Sequence, residues 1–152
     1  MLIEYAFTHE LATPPERANP SDAGLDVFFC PEDGCAVDVE PGESVVLGTG
    51  LRFGVPHGYM LEVKNRSSLA SKRSLIVGAC VVDSGYDGEV FINVHNIGNE
   101  SQHIEAGTKI AQLVMIPVVS FRAIETSSGD LYDWYPITIS ARGAGSLGST
   151  GE

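Results

Sequence analysis

Residues 81 to 96 read VVDSGYDGEVFINVHN, and this stretch decides the fold class. Two apolar runs flank SGYDG, whose glycines suit a tight turn between antiparallel strands. In the second run apolar and polar residues alternate, which is the pattern of a strand with one buried face. The stretch therefore predicts a strand, a turn and a second strand.

Similar runs recur on both sides of this stretch, at 2–8 (LIEYAFT), 35–40 (CAVDVE), 59–64 (YMLEVK) and 109–118 (KIAQLVMIPV). Turn signals such as PEDG, PGES, VPHG, NIGNE and EAGT separate them. The one predicted helix is SSLASKR (67–73), with a serine at its N-cap. Short strands punctuated by Gly and Pro predict an all-β domain, either a sandwich or a closed barrel.

Composition and charge limit the function classes. The chain has 152 residues, 43% of them apolar, which suits one domain with a real core. A net charge of −11 argues against stable binding to nucleic acid, which draws its affinity from neutralised phosphates. Four of the nine basic residues nevertheless lie between positions 64 and 73. A small polyanion is therefore a plausible ligand for that segment.

The sequence also predicts where the protein resides and what chemistry it lacks. No apolar run is long enough to cross a bilayer and no secretion signal is evident, so we expect a cytoplasmic or other intracellular protein. Cys30, Cys35 and Cys80 have no partners at zinc-site spacing and are expected to be free thiols. The four histidines are scattered, with no Ser or Cys in a strained turn, so no nucleophilic triad is expected.

Polar residues with chemical potential are concentrated in five stretches: AGLD (23–26), NRSSLA (65–70), VVDSGYDGEV (81–90), GTKIAQL (107–113) and RGAGSLGSTG (142–151). Their carboxylates, hydroxyls, amides and cations suit phosphate chemistry that proceeds by positioning and electrostatics. The last stretch offers little apolar surface and is expected to be mobile by itself. Its small residues, hydroxyls and arginine also suit wrapping around phosphates.

In this order and at these spacings, the five stretches resemble the five motifs of the trimeric dUTP pyrophosphatases, the dUTPases. The resemblance implies a jelly-roll-like β-barrel that forms a homotrimer with active sites shared between subunits. It implies Mg²⁺-assisted hydrolysis of dUTP to dUMP and pyrophosphate by attack of water on the α-phosphate, which limits uracil in DNA and supplies dUMP for thymidylate synthesis. It divides the chain into a barrel (1–125), a loop and strand (126–141) and a Gly-rich C-terminal arm (142–152).

The resemblance also assigns the catalytic residues. Asp83 would activate the water and hydrogen-bond the sugar 3′-hydroxyl, and Gln112 would orient that water. Asp26 would hold Mg²⁺ through a bound water, while the triphosphate holds the metal mainly by itself, as a hard octahedral ion allows.

Substrate-binding roles follow from the same resemblance. Tyr86 would stack on the deoxyribose and exclude a 2′-hydroxyl, and a hairpin of residues 78–82 and 89–93 would read the uracil edge through its backbone. Arg142 would bind the γ-phosphate as the arm closes over the nucleotide. The other expected binding residues are Arg66, Ser67, Ser68, Gly78, Ala79, Val82, Glu89, Val90, Lys109, Leu147, Gly148, Ser149 and Thr150.

Three positions depart from the family pattern. Leu147 stands where the family has an aromatic residue, which weakens stacking on uracil; Asn65 replaces a proline and Asp87 a basic or amide residue. Two alternatives stay open. A dCTP deaminase would need a basic residue after the Arg-Ser-Ser run, where this chain has LAS, and is disfavoured. A non-catalytic trimeric relative that binds nucleotide for signalling is kept open by Leu147 and Asp87.

Overall fold

A computed structural model describes residues 1–129 and 131–132 of the chain. The described residues form eleven strands and one helix, and every run predicted as a strand contains one. The elements are β1 (Glu4–Phe7), β2 (Leu25–Phe28), β3 (Val37–Val39), β4 (Ser44–Gly48), β5 (Leu51–Gly54), β6 (Tyr59–Lys64), α1 (Ser67–Arg73), β7 (Leu75–Val77), β8 (Val81–Val82), β9 (Phe91–Asn96), β10 (Gln102–Ile104) and β11 (Lys109–Pro117).

The strands pair antiparallel in four sheets. The largest sheet has the order β2-β11-β6-β8, the second β4-β9-β7, and the two-stranded sheets are β1-β5 and β10-β3. The predicted all-β, jelly-roll-like class is confirmed. The closed barrel is not seen among the described residues, because short strands such as β3 and β10 pair only with each other and leave the sheets separate.

Alternating side chains from these sheets bury one hydrophobic core. In β9, Ile92 and Val94 are buried, while Phe91 on the opposite face is half exposed, as the period-two pattern predicts. Leu47, Leu51 and Leu113 are among the fully buried side chains of the same cluster. Each such side chain stabilises the fold by about 1.5 to 3 kcal/mol.

The expected helix has the predicted bounds but not the predicted cap. Arg66 occupies the N-cap position without a side-chain capping bond, so the prediction of a serine N-cap is wrong. Its guanidinium instead donates to Asp26, and Ser67 and Ser68 fall in the first helical turn. The helix ends at Arg73, and the C-cap residue Ser74 adopts a left-handed conformation and donates its N–H to Leu69 O.

The predicted hairpin of residues 78–82 and 89–93 is also wrong in its pairing. Gly78 donates its N–H to Asn93 O, but Val81 and Val82 pair with β6 in the other sheet. The free edge of β6 provides backbone partners there, so the two segments separate after Gly78. A cleft opens where they part.

The two compact units of the chain are Met1–Val119 and Ser120–Glu152. All the strands and the helix of the described residues lie in the first unit. Most of the predicted loop and strand (126–141) and the whole predicted arm (142–152) lie outside the described residues. No helix in the described part of the chain is long and apolar enough to span a membrane.

Candidate functional site

Residues from three of the five polar stretches meet in one cleft of about 350 Å³, here called the Asp26 cleft. AGLD contributes its aspartate from β2, NRSSLA contributes the start of α1, and GTKIAQL contributes a glutamine from β11. The lining side chains with polar groups are Asp22, Asp26, Arg66, Ser67, Ser68 and Gln112. The sheet brings them together because β11 pairs with both β2 and β6, and α1 follows β6.

Asp26 is the electrostatic centre of this cleft, with a side chain only 12% exposed. Its Oδ1 accepts a hydrogen bond from Arg66 Nε at 3.0 Å, and its Oδ2 lies 3.1 Å from Lys109 Nζ. Lys109 also lies 3.1 Å from a Glu16 oxygen, and hydrogen bonds to Glu16 and then Asp26 raise the pKa of Lys109. Two cations thus balance two carboxylates.

Gln112 lies between these charges and the helix start. Its Nε2 donates to the backbone oxygen of Asn65 at 2.9 Å. The side-chain oxygen of Asn65 accepts the N–H of Val77 at 2.7 Å, which ties the turn before α1 to β7. Asn65 therefore connects the glutamine to the strand that leads into Gly78.

A second cleft, of about 220 Å³ and here called the Asp83 cleft, lies where the predicted hairpin parts. Asp83, Tyr86 and Glu89 line it together with apolar side chains. Of the predicted contact residues, Val82 and Val90 are buried in its wall, whereas Gly78 and Ala79 are exposed beside β7. The apolar lining is formed by Val81, Val82, Val90 and Phe91.

Tyr86 is held at the mouth of the Asp83 cleft. Its hydroxyl donates to Glu89 O at 2.8 Å and its N–H to Asp83 O at 3.2 Å. Gly88 leaves room for the ring, since a Cβ there would lie 2.6 Å from Tyr86 Cζ. Gly85, with φ of 88°, supplies the positive φ that the turn requires.

Glu89 takes part through its backbone, because its carboxylate is engaged elsewhere. One carboxylate oxygen accepts the N–H of Gly50 at 2.9 Å, and the other accepts the hydroxyl of Thr8 at 2.8 Å. The side chain therefore anchors the turn between β4 and β5, while its carbonyl receives Tyr86.

The two clefts share no lining residue, and each includes residues beside the β2-β11-β6-β8 sheet, at different levels of β6. Gln112 is level with Lys64 of β6, and Asp83, one residue beyond Val82, is level with Met60. Four residues of strand span about 13 Å, and β8 and β11 flank β6 on opposite sides, about 9 to 10 Å apart. The backbones of Asp83 and Gln112 are thus on the order of 16 Å apart in one chain.

Comparison with known proteins gives the family. The dUTPase family model matches residues 10–150. The chain belongs to the dUTPase family. A deoxyuridine 5′-triphosphate nucleotidohydrolase from Cutibacterium acnes is 42% identical over 140 residues, covering 90% of this chain and 84% of the relative.

Solved dUTPase structures share the fold. A mutant dUTPase of Staphylococcus bacteriophage 80alpha, solved with dUpNHpp, is 26% identical with a TM-score of 0.84 and 99% coverage of both chains. A mutant dUTPase from phage phi11 of S. aureus, described with a structural Mg(II) ion, is 25% identical with a TM-score of 0.75 and covers 84% of this chain and 97% of its own.

The five predicted arm residues of the dUTPase motif in RGAGSLGSTG, which are Arg142, Leu147, Gly148, Ser149 and Thr150, lie outside the described residues. Their assigned roles stay predictions.

The dUTPase resemblance implies that Asp26 binds Mg²⁺ through a water molecule, and the residues of the Asp26 cleft fit this outer-sphere role. Each Asp26 oxygen receives one cationic donor and keeps a second lone pair for a water. Among residues 1–129 and 131–132, no group of three or more His, Cys, Asp or Glu side chains could hold a metal ion. Such a site suits an ion bound by substrate phosphates and one carboxylate through water.

Sequence reasoning missed three residues that shape these dUTPase clefts: two glycines, which have no side chain, and Asn65, which acts through hydrogen bonds. Gly24 and Gly88 belong to recognised motifs, but the space they leave for Gln112 and Tyr86 depends on packing. In the sequence Asn65 is only a departure from the proline of the family pattern, because its two hydrogen bonds depend on where β7 and β11 lie. Its side-chain oxygen, which proline lacks, was the one signal available in the sequence.

Proposed function

We propose that this chain hydrolyses dUTP to dUMP and pyrophosphate, at a site formed by the Asp26 cleft of one subunit and the Asp83 cleft of another. The observation that carries the proposal is the convergence of Asp26, Arg66, Ser67, Ser68 and Gln112 in one cleft, from three separate family motifs. Curated relatives that are 42% and 35% identical are named deoxyuridine 5′-triphosphate nucleotidohydrolase, which is this activity.

The Asp26 cleft receives the triphosphate. Arg66 is 27% exposed, so its guanidinium can bind a phosphate oxygen while Nε stays on Asp26. Ser67 and Ser68 are exposed and present their hydroxyls at the same rim. Because both belong to the first turn of α1, their N–H groups also point away from the helix toward an anion.

Mg²⁺ bound by the triphosphate would meet Asp26 through a water. When bound, it neutralises the phosphate charge and makes the phosphorus more open to attack. Arg66 and Lys109 orient the Asp26 carboxylate for this through their ion pairs with its two oxygens.

Asp83 removes the proton from the attacking water. The water oxygen forms a bond to the α-phosphorus, its proton passes to the Asp83 carboxylate, and the bond to the bridging oxygen breaks as pyrophosphate leaves. No hydrogen bond or ion pair from another residue of the described chain occupies that carboxylate, which is exposed. Gln112 orients the same water from the Asp26 side.

A single subunit does not hold both groups on one water. Two side chains that share a water lie within about 6 Å of each other. The Asp83 and Gln112 backbones are on the order of 16 Å apart, and the Gln112 amide nitrogen is bonded to Asn65 O. A homotrimer in which the Asp83 of one subunit meets the Gln112 of its neighbour resolves this separation.

The base and sugar occupy the Asp83 cleft. Its volume of about 220 Å³ and its valine walls suit a flat pyrimidine ring. Tyr86, fixed by its hydroxyl bond, packs on the deoxyribose and fills the space of a 2′-hydroxyl. The arm, with Arg142 on the γ-phosphate, closes the site from a further subunit, and Leu147 in place of an aromatic residue weakens its stacking on the base.

The test is pyrophosphate release from dUTP, dCTP, dTTP and UTP with and without Mg²⁺. We expect rapid release from dUTP alone, dependent on Mg²⁺. Ammonia release from dCTP would favour the deaminase alternative. Tight dUTP binding without any product would favour a nucleotide-binding relative without catalysis, and either result would contradict the proposal.

A further inference from the structure

Gln112 presents a defined side of its amide to the Asp26 cleft. Its partner, the backbone carbonyl of Asn65, can only accept a hydrogen bond, so the amide nitrogen must face Asn65. The amide oxygen therefore points the other way, toward Gly24, and both Gly24 and Gln112 line the cleft. Gln112 therefore presents its amide oxygen, a hydrogen-bond acceptor, to the cleft.

This orientation suits the water that is to attack. An acceptor receives one of the water's O–H groups and leaves its lone pair free to face phosphorus. An N–H donor in the same place would occupy one of the oxygen's two lone pairs and give the O–H group no acceptor. The direction of the amide matters as much as its presence.

Gly24 provides the space for the amide oxygen. A Cβ at position 24 would lie 2.7 Å from Gln112 Cδ, 3.0 Å from Gln112 Cβ and closer still to Oε1. The backbone of Gly24 is outside the positive-φ region, so its conformation does not itself require glycine. Gly24 is buried, and the only reason for a glycine at this position is the lack of space for a Cβ.

We propose that Gly24 is a positioning residue for hydrolysis: by lacking a side chain, it lets Gln112 hold its amide oxygen toward the attacking water. This rests on the water-orienting role of Gln112 in the proposed function. Any side chain at position 24 turns the amide or displaces it, while Asp26, Arg66 and the serines keep their contacts.

The experiment is a double-mutant cycle with G24A, Q112A and G24A/Q112A, measuring kcat and KM for dUTP and the melting temperature. We expect G24A to lower kcat by about 10²-fold, the scale of a misplaced catalytic group, and to change KM by less than about threefold. In the Q112A background the same change should lower kcat by less than about twofold, because there is no amide left to displace.

The matched control is G54A. Gly54 lies at the end of β5 outside the positive-φ region, and its added Cβ would meet Glu4 at an ordinary 3.8 Å. We expect its kcat within about twofold of wild type, since it disturbs neither cleft.

Two results would overturn the proposal: a G24A enzyme with wild-type kcat, or an equal loss from G24A with and without Gln112. A fully active Q112A would refute the role of Gln112 and overturn the Gly24 proposal with it, while leaving dUTP hydrolysis itself in place. Should G24A fail to fold, removal of the clashing amide in G24A/Q112A should restore folding, with a melting temperature slightly below that of Q112A because the 3.0 Å contact with Cβ remains. A double variant that also fails to fold would overturn the proposal.

Discussion

Asp83 is exposed at the rim of its cleft, with a carboxylate that no other described residue occupies. Asp83→Asn keeps the shape but cannot take a proton, so we expect kcat to fall by about 10²- to 10⁴-fold. Binding of dUTP should stay within about tenfold, because the carboxylate acts on the water more than on the ground state. Steady-state kinetics and calorimetry with a non-hydrolysable analogue measure the two quantities.

Asp87 provides the matched control in the same turn. Its carboxylate is 88% exposed and pairs with Arg52 at 3.1 Å, away from both clefts. Asp87→Asn should leave kcat within about twofold, since exposed ion pairs contribute little. An Asp83→Asn enzyme that keeps more than about a tenth of wild-type kcat would refute the base assignment.

Tyr86 tests sugar discrimination at the same scale. Its ring is held by the bond from its hydroxyl to Glu89 O and by the space over Gly88. Tyr86→Ala should raise the ratio of kcat/KM for UTP to that for dUTP by at least about tenfold, because the ring no longer fills the place of the 2′-hydroxyl.

Tyr86→Phe is the control for the ring itself. It keeps the aromatic surface and removes only the hydroxyl that donates to Glu89 O. Its preference for dUTP should remain close to that of wild type. If Tyr86→Ala leaves the UTP to dUTP ratio unchanged, the ribose is excluded by another group.

At the scale of elements, Asn96 joins β9 to β3 and to the loop that follows β9, through a buried side chain that is 1% exposed. Its Nδ2 donates to Val39 O and Glu100 O at 2.8 Å each, and its Oδ1 accepts Gly98 N–H at 2.9 Å. Asn96→Ala leaves these groups without partners and should lower the free energy of unfolding by about 2 to 4 kcal/mol.

Urea denaturation measures this change, with Asn99→Ala as the control. Asn99 is exposed in the loop that follows β9, and its loss should change the free energy of unfolding by less than about 0.5 kcal/mol. Equal effects at the two positions would contradict the joining role of Asn96.

An element could be predicted from the sequence when the residues that determine it are neighbours in the chain, and could not when they lie on a distant strand. β6 and α1 were predicted at their observed bounds, because alternation and helical residues are local signals. The pairing of Val81 and Val82 was missed, since the competing edge belongs to β6, some twenty residues earlier in the chain. The cap of α1 was missed for the same reason: Arg66 is drawn to Asp26 on β2.

The motifs predicted a set of site residues, and the structure shows which of them meet. Asp26, Arg66, Ser67, Ser68 and Gln112 converge in one cleft as the phosphate chemistry requires. The proposed role of Gly24 could not be predicted, because it depends on a space whose limits are set by the Gln112 side chain on another strand. Such constraints appear only once β2 and β11 are paired.

At the scale of the whole molecule, the separation of the two clefts is the basis for the proposed shared site. Asp83 follows β8 and Gln112 lies on β11, on opposite sides of β6, and we propose that a working site takes one from each of two subunits. The predicted trimer provides three equivalent junctions of this kind. The enzyme should therefore lose activity on dissociation, before the individual subunits unfold.

The most direct measurement of the shared site mixes two defective enzymes. Asp83→Asn and Gln112→Ala chains are unfolded together in equal amounts and refolded, and native mass spectrometry verifies that hybrid trimers form. A site works when its Asp83 comes from a Gln112→Ala chain and its Gln112 from an Asp83→Asn chain, each with a probability of one half. We predict recovery of about a quarter of wild-type dUTP hydrolysis. Activity no greater than the mean of the two parents, in a mixture shown to contain hybrid trimers, would contradict the shared site.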